Sequence, residues 1–167
     1  KEAAALGGSS MELKEGEVVT VRQLLYGLMI LSGNDAAYSL AEVVSNGNVD
    51  EFVKMMNDEA KTLGCKDTNF VNPNGMKADG HYTTAGDYIK VARVALRNKQ
   101  VYKLAGTKIF KMDATNLSDR RVMKAHTDLL GLCRSTIWVL GQNSYTIANS
   151  VLTTRLLGGR ADAWPRR

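Results

Sequence analysis

The chain has 167 residues, 44% of them hydrophobic and 23% charged, which suits one globular domain able to bury a sizeable core. Its net charge of +5 is confined to one end: residues 1–119 hold 14 basic and 15 acidic side chains, residues 120–167 hold 8 and 2. The basic residues there are scattered, with no cluster and no interleaved aromatic platform, so they read as solvated charge and nucleic acid is excluded as an expected partner.

Gly7-Gly8-Ser9-Ser10 marks a turn, and Met11 to Val19 an extended or turn-rich stretch. Thr20 is placed to cap a helix through Val21, Leu24, Leu25, Leu28 and Met29, whose three- and four-residue spacing makes one apolar face. The run Leu24 to Leu31 falls short of the ~20 apolar residues that cross a bilayer and reads as buried helix. Ser32-Gly33-Asn34 breaks it. A second helix, with Asp35 in its first turn, is expected to bury Ala36, Ala37, Leu40, Val43 and Val44. After the Asn46-Gly47-Asn48 turn, Asp50 is expected to cap a third helix that turns Phe52, Val53, Met56 and Ala60 inward and stops at Gly64.

Thr68 to Gly80 reads as a loop, in which Asn72-Pro73-Asn74-Gly75 forms a rigid turn. Thr83 or Thr84 starts a fourth helix running to Asn98, with His81 part of the scaffold before it rather than a base. A short helix around Val101–Leu104 and a strand from Thr107 to Met112 follow. The seven methionines are read as core packing. Residues 131–167 have no Lys, no Glu and no periodicity, though they hold both tryptophans and five arginines. That segment is expected to be less protected than the helices around Val21–Ala60, because little burial offsets the entropy of ordering it.

Cys65 and Cys133 are isolated, and neither His81 nor His126 stands at ligand spacing from them, so no metal, cofactor or disulfide framework is expected. The chain opens on Lys1 with no signal peptide in view, so its first residue is expected to be a boundary rather than a translational start. Ser32 and Asn34 carry the chemistry. Two residues apart on a tight turn, a hydroxyl that relays a proton and a carboxamide that orients a peptide can face one cleft.

By itself S-x-N is a weak pattern, equally suited to a polar cap between helices. Its surroundings are far more specific. Gly7-Gly8-Ser9-Ser10-Met11, Leu13-Lys14-Glu15-Gly16-Glu17, Thr20 through Leu28, Leu31-Ser32-Gly33-Asn34-Asp35-Ala36-Ala37, Phe70-Val71-Asn72-Pro73-Asn74-Gly75-Met76 and His81-Tyr82-Thr83-Thr84-Ala85 follow in order. This series resembles the low-molecular-mass penicillin-binding proteins, the serine D-Ala-D-Ala carboxypeptidases of the peptidase S11 family, over roughly residues 1–130.

The resemblance implies an α/β (α+β) fold of the DD-peptidase and β-lactamase type, an antiparallel sheet flanked by a helical lobe. Residues 20–104 would supply most of that lobe and most of the sheet would be missing; residues 131–167 would be a divergent C-terminal segment. It also implies acyl-enzyme hydrolysis of the D-Ala-D-Ala bond in peptidoglycan pentapeptide stems, with β-lactams as pseudosubstrates, in the cell envelope outside the cytoplasmic membrane. Any membrane association would come from a segment not in this chain. Ser32 would pass a proton to the leaving amine, Asn34 would hold the motif lysine and the substrate amide, and Gly33 would line the substrate site. Two departures stand out. No Ser-x-x-Lys occurs in these 167 residues, and no Lys-Thr-Gly; its positional equivalent is Gly141-Gln142-Asn143-Ser144-Tyr145-Thr146. Gln142 and Ser144 would form a degenerate substrate-binding edge, with a neutral amide in place of the cation that attracts the substrate carboxylate. The fragment alone is therefore expected to be inactive. The alternative is a non-catalytic module that binds peptidoglycan stems or β-lactams.

Overall fold

A computed structural model describes residues 1–125, so the expectations for His126, Cys133, Gln142, Ser144 and the segment 131–167 lie outside the described residues. After a short 3-10 turn at Ala3–Ala5 come α1 (Val21–Leu31), α2 (Asn34–Val44), α3 (Val49–Thr62), α4 (Ala85–Arg97), α5 (Lys99–Ala105), β1 (Ile109–Met112) and β2 (Arg121–Lys124). The two strands pair antiparallel, with Phe110 opposite Met123 and Met112 opposite Arg121. The described part is thus a helical lobe with a two-stranded ribbon, in keeping with a partial α+β domain.

Helices α1, α3, α4 and α5 each start where a short polar side chain takes an orphan amide, whereas α2 starts at Gly33 with no side-chain cap. Thr20 forms a capping box on α1: its hydroxyl accepts from Gln23 N–H at 3.2 Å, and Gln23 Oε1 accepts from Thr20 N–H at 2.7 Å. Thr84 caps α4 and Asn98 caps α5. On α3 the cap is Asn48, whose Oδ1 accepts from Glu51 N–H at 3.1 Å, and not the expected Asp50. Asp50 sits one residue inside the helix, where its charge meets the positive end of the dipole without closing the cap. Gly64 ends α3 at φ +75°, the left-handed conformation the sequence called for.

α1 is the central element, packed against α2, α5 and the ribbon. Leu24, Leu25, Leu28 and Ile30 are buried, and Tyr26 stacks on Phe110 of β1 with ring centroids 3.9 Å apart. Met11 fills the groove over Gly27; a β-carbon on Gly27 would overlap its sulfur, which explains a glycine inside a helix that propensity disfavours. Leu40, Phe52, Met56, Phe70, Val91, Met112 and Met123 complete the core. Val43 departs from expectation, being 55% exposed at the outer side of α2. Its helix buries Ala36, Ala37 and Leu40 as expected and Ala41 in addition, and the alanines allow α1 to approach closely. Val44 is only partly buried.

Three polar devices tie the loops down. Asn57 of α3 imitates a paired strand, accepting from Phe70 N–H and donating to Phe70 C=O, both at 2.8 Å. Asp87 of α4 accepts from Asp67 N–H, the Thr68 hydroxyl and Lys90 Nζ. The third joins residues about a hundred apart. Arg121 Nη2 reaches both oxygens of Glu17 at 2.7 and 2.9 Å, while Asn116 bonds Val18 N–H and Gly16 C=O.

Candidate functional site

The turn between α1 and α2 is built from its glycines and one left-handed serine. The Ser32 and Gly33 amides both point back to the Gly27 carbonyl, a Schellman-type closure that lets α1 end and α2 begin almost at once. Ser32 adopts φ +55°, ψ +36°, a region that costs a non-glycine residue on the order of 1 kcal/mol or more. Gly33 is buried and is the N-cap residue of α2. A β-carbon there would lie 2.9 Å from Asp35 Oδ1 and 3.3 Å from the Gly27 carbonyl, so the middle position of S-x-N admits no side chain. Its place in the site is steric.

Asn34 is only 3% exposed and is held from the side of residues 7–9. Its backbone N–H donates to Ser9 C=O at 2.8 Å, and Nδ2 donates to Gly7 C=O at 2.7 Å and lies 3.6 Å from Met76 Sδ. The Gly7 carbonyl demands a donor, which fixes the carboxamide's orientation. No donor among the described residues reaches Oδ1. The amide is therefore available as an acceptor, for an ammonium or an N–H, while its own N–H bonds are spent on the scaffold. Gly8, at φ +83°, makes this approach possible: a β-carbon on it would stand 2.7 Å from Asn34 Nδ2.

The structure adds residues that the sequence reading passed over. Asp35 is 1% exposed, and both its oxygens are saturated. Met11 N–H and Ala36 N–H donate to Oδ1 at 3.1 and 2.9 Å; the Ser10 hydroxyl and Leu13 N–H donate to Oδ2 at 2.7 and 3.0 Å. No cation pairs with it among the described residues. The only signal in the sequence was an acidic residue set directly before the buried pair Ala36-Ala37. Met76 is the second addition: 37% exposed, it lies beside Asn34 and so departs from the expectation that all seven methionines pack in the core. It is held there by Asn72, whose Oδ1 accepts from Gly75 N–H and whose Nδ2 donates to Met76 C=O.

His81 is scaffold, as the sequence suggested. Its Nδ1 accepts from Val71 N–H at 3.3 Å, its ring stands edge-on to Phe70, and burial pushes its pKa below 6.5. Cys65 is buried, its Sγ 3.6 Å from the Asp87 carbonyl, and burial pushes its thiol up; Cys133 lies outside the described residues. Among the described residues no three His, Cys, Asp or Glu side chains gather into a metal site, and no helix is long and apolar enough to cross a membrane.

Comparison with known proteins places the fold. D-alanyl-D-alanine carboxypeptidase DacF of Bacillus subtilis (strain 168) is 46% identical over 105 residues, covering 63% of this chain and 27% of the relative. DacC of Escherichia coli (strain K12) is 30% identical over 165 residues, covering 95% and 41%, a likeness that runs past residue 133. The crystal structure of a D-alanyl-D-alanine carboxypeptidase from Mycobacterium tuberculosis H37Rv superposes with a TM-score of 0.69 at 30% identity, covering 78% of this chain and 48% of that one. The chain thus spans less than half the length of these relatives, and the lobe has their DD-peptidase fold. Since the family model for D-alanyl-D-alanine carboxypeptidases matches residues 1–133, the chain belongs to that family, Peptidase_S11.

Proposed function

We propose that this chain is part of a serine-type D-Ala-D-Ala carboxypeptidase that works on peptidoglycan stem peptides outside the cytoplasmic membrane and is acylated by β-lactams. In this reading the Ser32 hydroxyl passes a proton to the leaving D-Ala amine, and Asn34 Oδ1 accepts from the lysine of the nucleophile motif or from the substrate amide. Gln142 and Ser144 form the edge that meets the substrate carboxylate, through neutral hydrogen bonds. The observation that carries the reading is the pairing of a left-handed Ser32 with an Asn34 whose donors are occupied and whose acceptor is not. Strain of this kind persists where surrounding structure holds it in place, and it gathers at working sites.

The 167-residue chain on its own lacks the nucleophile, so it forms no covalent adduct with a fluorescent penicillin. Intact-mass measurement checks this, and a stoichiometric penicilloyl addition on any serine here would overturn it. Turnover returns when segments bearing Ser-x-x-Lys and Lys-Thr-Gly are fused in, and Ser32→Ala in that fusion lowers D-Ala release by ~10²–10⁴. An unchanged rate would reduce Ser32 to a helix-capping residue. The second reading, a module that binds without turning over, gains support from a Ser32–Asn34 turn held by contacts within residues 7–76. Binding of a D-Ala-D-Ala peptide to the unfused chain, followed through the Asn34 amide resonances, separates the two.

A further inference from the structure

We infer that Asp35 is the positioning residue of this site: its buried carboxylate clamps residues 10–13 to the start of α2 and thereby sets where Ser32 and Asn34 sit. The inference rests on the reading of Ser32 and Asn34 given above, though its test does not need their ligand. Three observations converge on it. The first is saturation: four donors, two per oxygen, use every favourable acceptor direction of an ionised carboxylate. An acceptor-only group is required. An asparagine would turn an NH2 toward one pair of donors, leaving at least one backbone N–H facing another N–H.

The second is leverage. Asp35 adjoins Asn34, and the segment it grips, Ser10 to Leu13, continues directly from the Gly7–Ser9 carbonyls that hold the Asn34 side chain and backbone. Releasing residues 10–13 would release the acceptors that aim the carboxamide. The third is contact with the turn itself. Asp35 Oδ1 occupies the space a side chain at position 33 would need, so the carboxylate also keeps the left-handed Ser32 turn narrow. Ser10 is bound into the same clamp. Its hydroxyl donates to Asp35 and accepts from Glu12 N–H at 2.7 Å, which helps hold Glu12 at φ +63°. Asp35 need not touch substrate; it acts through Asn34 and Ser32.

The test is amide and side-chain hydrogen exchange by NMR on the whole 167-residue chain, for wild type, Asp35→Asn and Ser10→Ala. In Asp35→Asn, exchange at Met11, Leu13, the Asn34 backbone and the Asn34 carboxamide should accelerate at least tenfold more than at Phe52 and Met56 in α3. The Asn34 side-chain resonances should move with it. Ser10→Ala removes one donor and keeps the carboxylate, so it should show the same pattern with a smaller factor. Equal acceleration everywhere would make Asp35 a stability residue only, and unchanged Asn34 protection would overturn the proposal outright. If Asp35→Asn does not fold, Ser10→Ala decides alone by the same two criteria. An unchanged rate of D-Ala release for Ser32→Ala in the fused enzyme would count against the functional reading and leave the exchange result standing.

Discussion

Two buried carboxylates hold the stretch from Ser10 to Val18, and they do so by opposite means. Asp35 is satisfied by neutral donors, three of them from residues 22 to 25 positions away and one from the adjacent Ala36, with no cation among the described residues. Glu17, whose side chain is fully shielded, is satisfied by a cation 104 positions away, by the Thr115 hydroxyl and by Lys14 N–H. Burial pushes the Glu17 carboxyl up, but Arg121, Thr115 and the Lys14 amide outweigh it and hold its pKa below 4.5. The difference is instructive. A carboxylate met by backbone amides is fixed in position as tightly as the backbone is, which suits a site. A carboxylate met by a long arginine joins distant parts of the chain, which suits a clasp between lobe and ribbon.

The contrast can be broken from the clasp side first. Arg121→Met leaves Glu17 shielded and without its cation, and should lower unfolding free energy by ~2–3 kcal/mol; the full penalty of a deeply buried pair is larger, but Arg121 keeps some contact with water. Adding Glu17→Gln should restore much of the loss, because no charge then remains to be compensated. Chemical denaturation of the single and double variants measures both steps. Losses that simply add would mean the two side chains do not act as a pair.

A smaller effect sharpens the comparison through pH. The Asp87 carboxylate is held down to about 2 by Lys90 first, then by Asp67 N–H and Thr68, against an ordinary value of 3.8. A depressed carboxylate contributes stability that is fully present above its unfolded pKa and is lost as the pH falls through its folded one. The denaturation midpoint should therefore fall as the pH drops from about 4 toward about 2. Glu17, lowered from 4.5, adds to the same slope. Asp87→Asn should flatten this acid limb. His81 acts at a higher pH with the same sign: burial lowers it from 6.5, so stability declines as the pH falls through that region and His81→Gln removes the decline.

The smallest effect belongs to the exposed pairs. Arg120 and Asp113 stand 3.9 Å apart with side chains 82% and 90% exposed. Arg120→Ala should change stability by no more than ~0.5 kcal/mol, next to Arg121→Met one residue along. A larger loss would show that exposure does not separate the clasp from its surroundings.

Much of the helical lobe was written locally. Thr20, Thr84 and Gly64 marked helix ends by their own chemistry, and apolar spacing put Leu24, Leu28, Phe52 and Met56 inside. The Ser-Gly-Asn turn was equally legible, since a helix break with those residues can be read without partners. Periodicity was less reliable where two options lay close together: Asn48 rather than Asp50 took the cap, and Ala41 went inward where Val43 was expected to. The Arg-Val-Met-Lys strand β2 went unread because four residues, half of them charged, carry no alternation strong enough to show a strand without its partner β1.

What the sequence determined by itself was which residues lie in helices, where those helices stop and that Ser32 and Asn34 share a turn; these follow from bonds spanning a few residues. Only the tertiary structure decided what surrounds that turn. The acceptors for Asn34 come from Gly7 and Ser9, the clamp on Asp35 from Ser10, Met11 and Leu13, and the neighbouring thioether from Met76. Helix periodicity says how deeply a side chain is buried, but the identity of a hydrogen-bonding partner 22 to 104 residues away depends on how elements pack, and no local pattern encodes it.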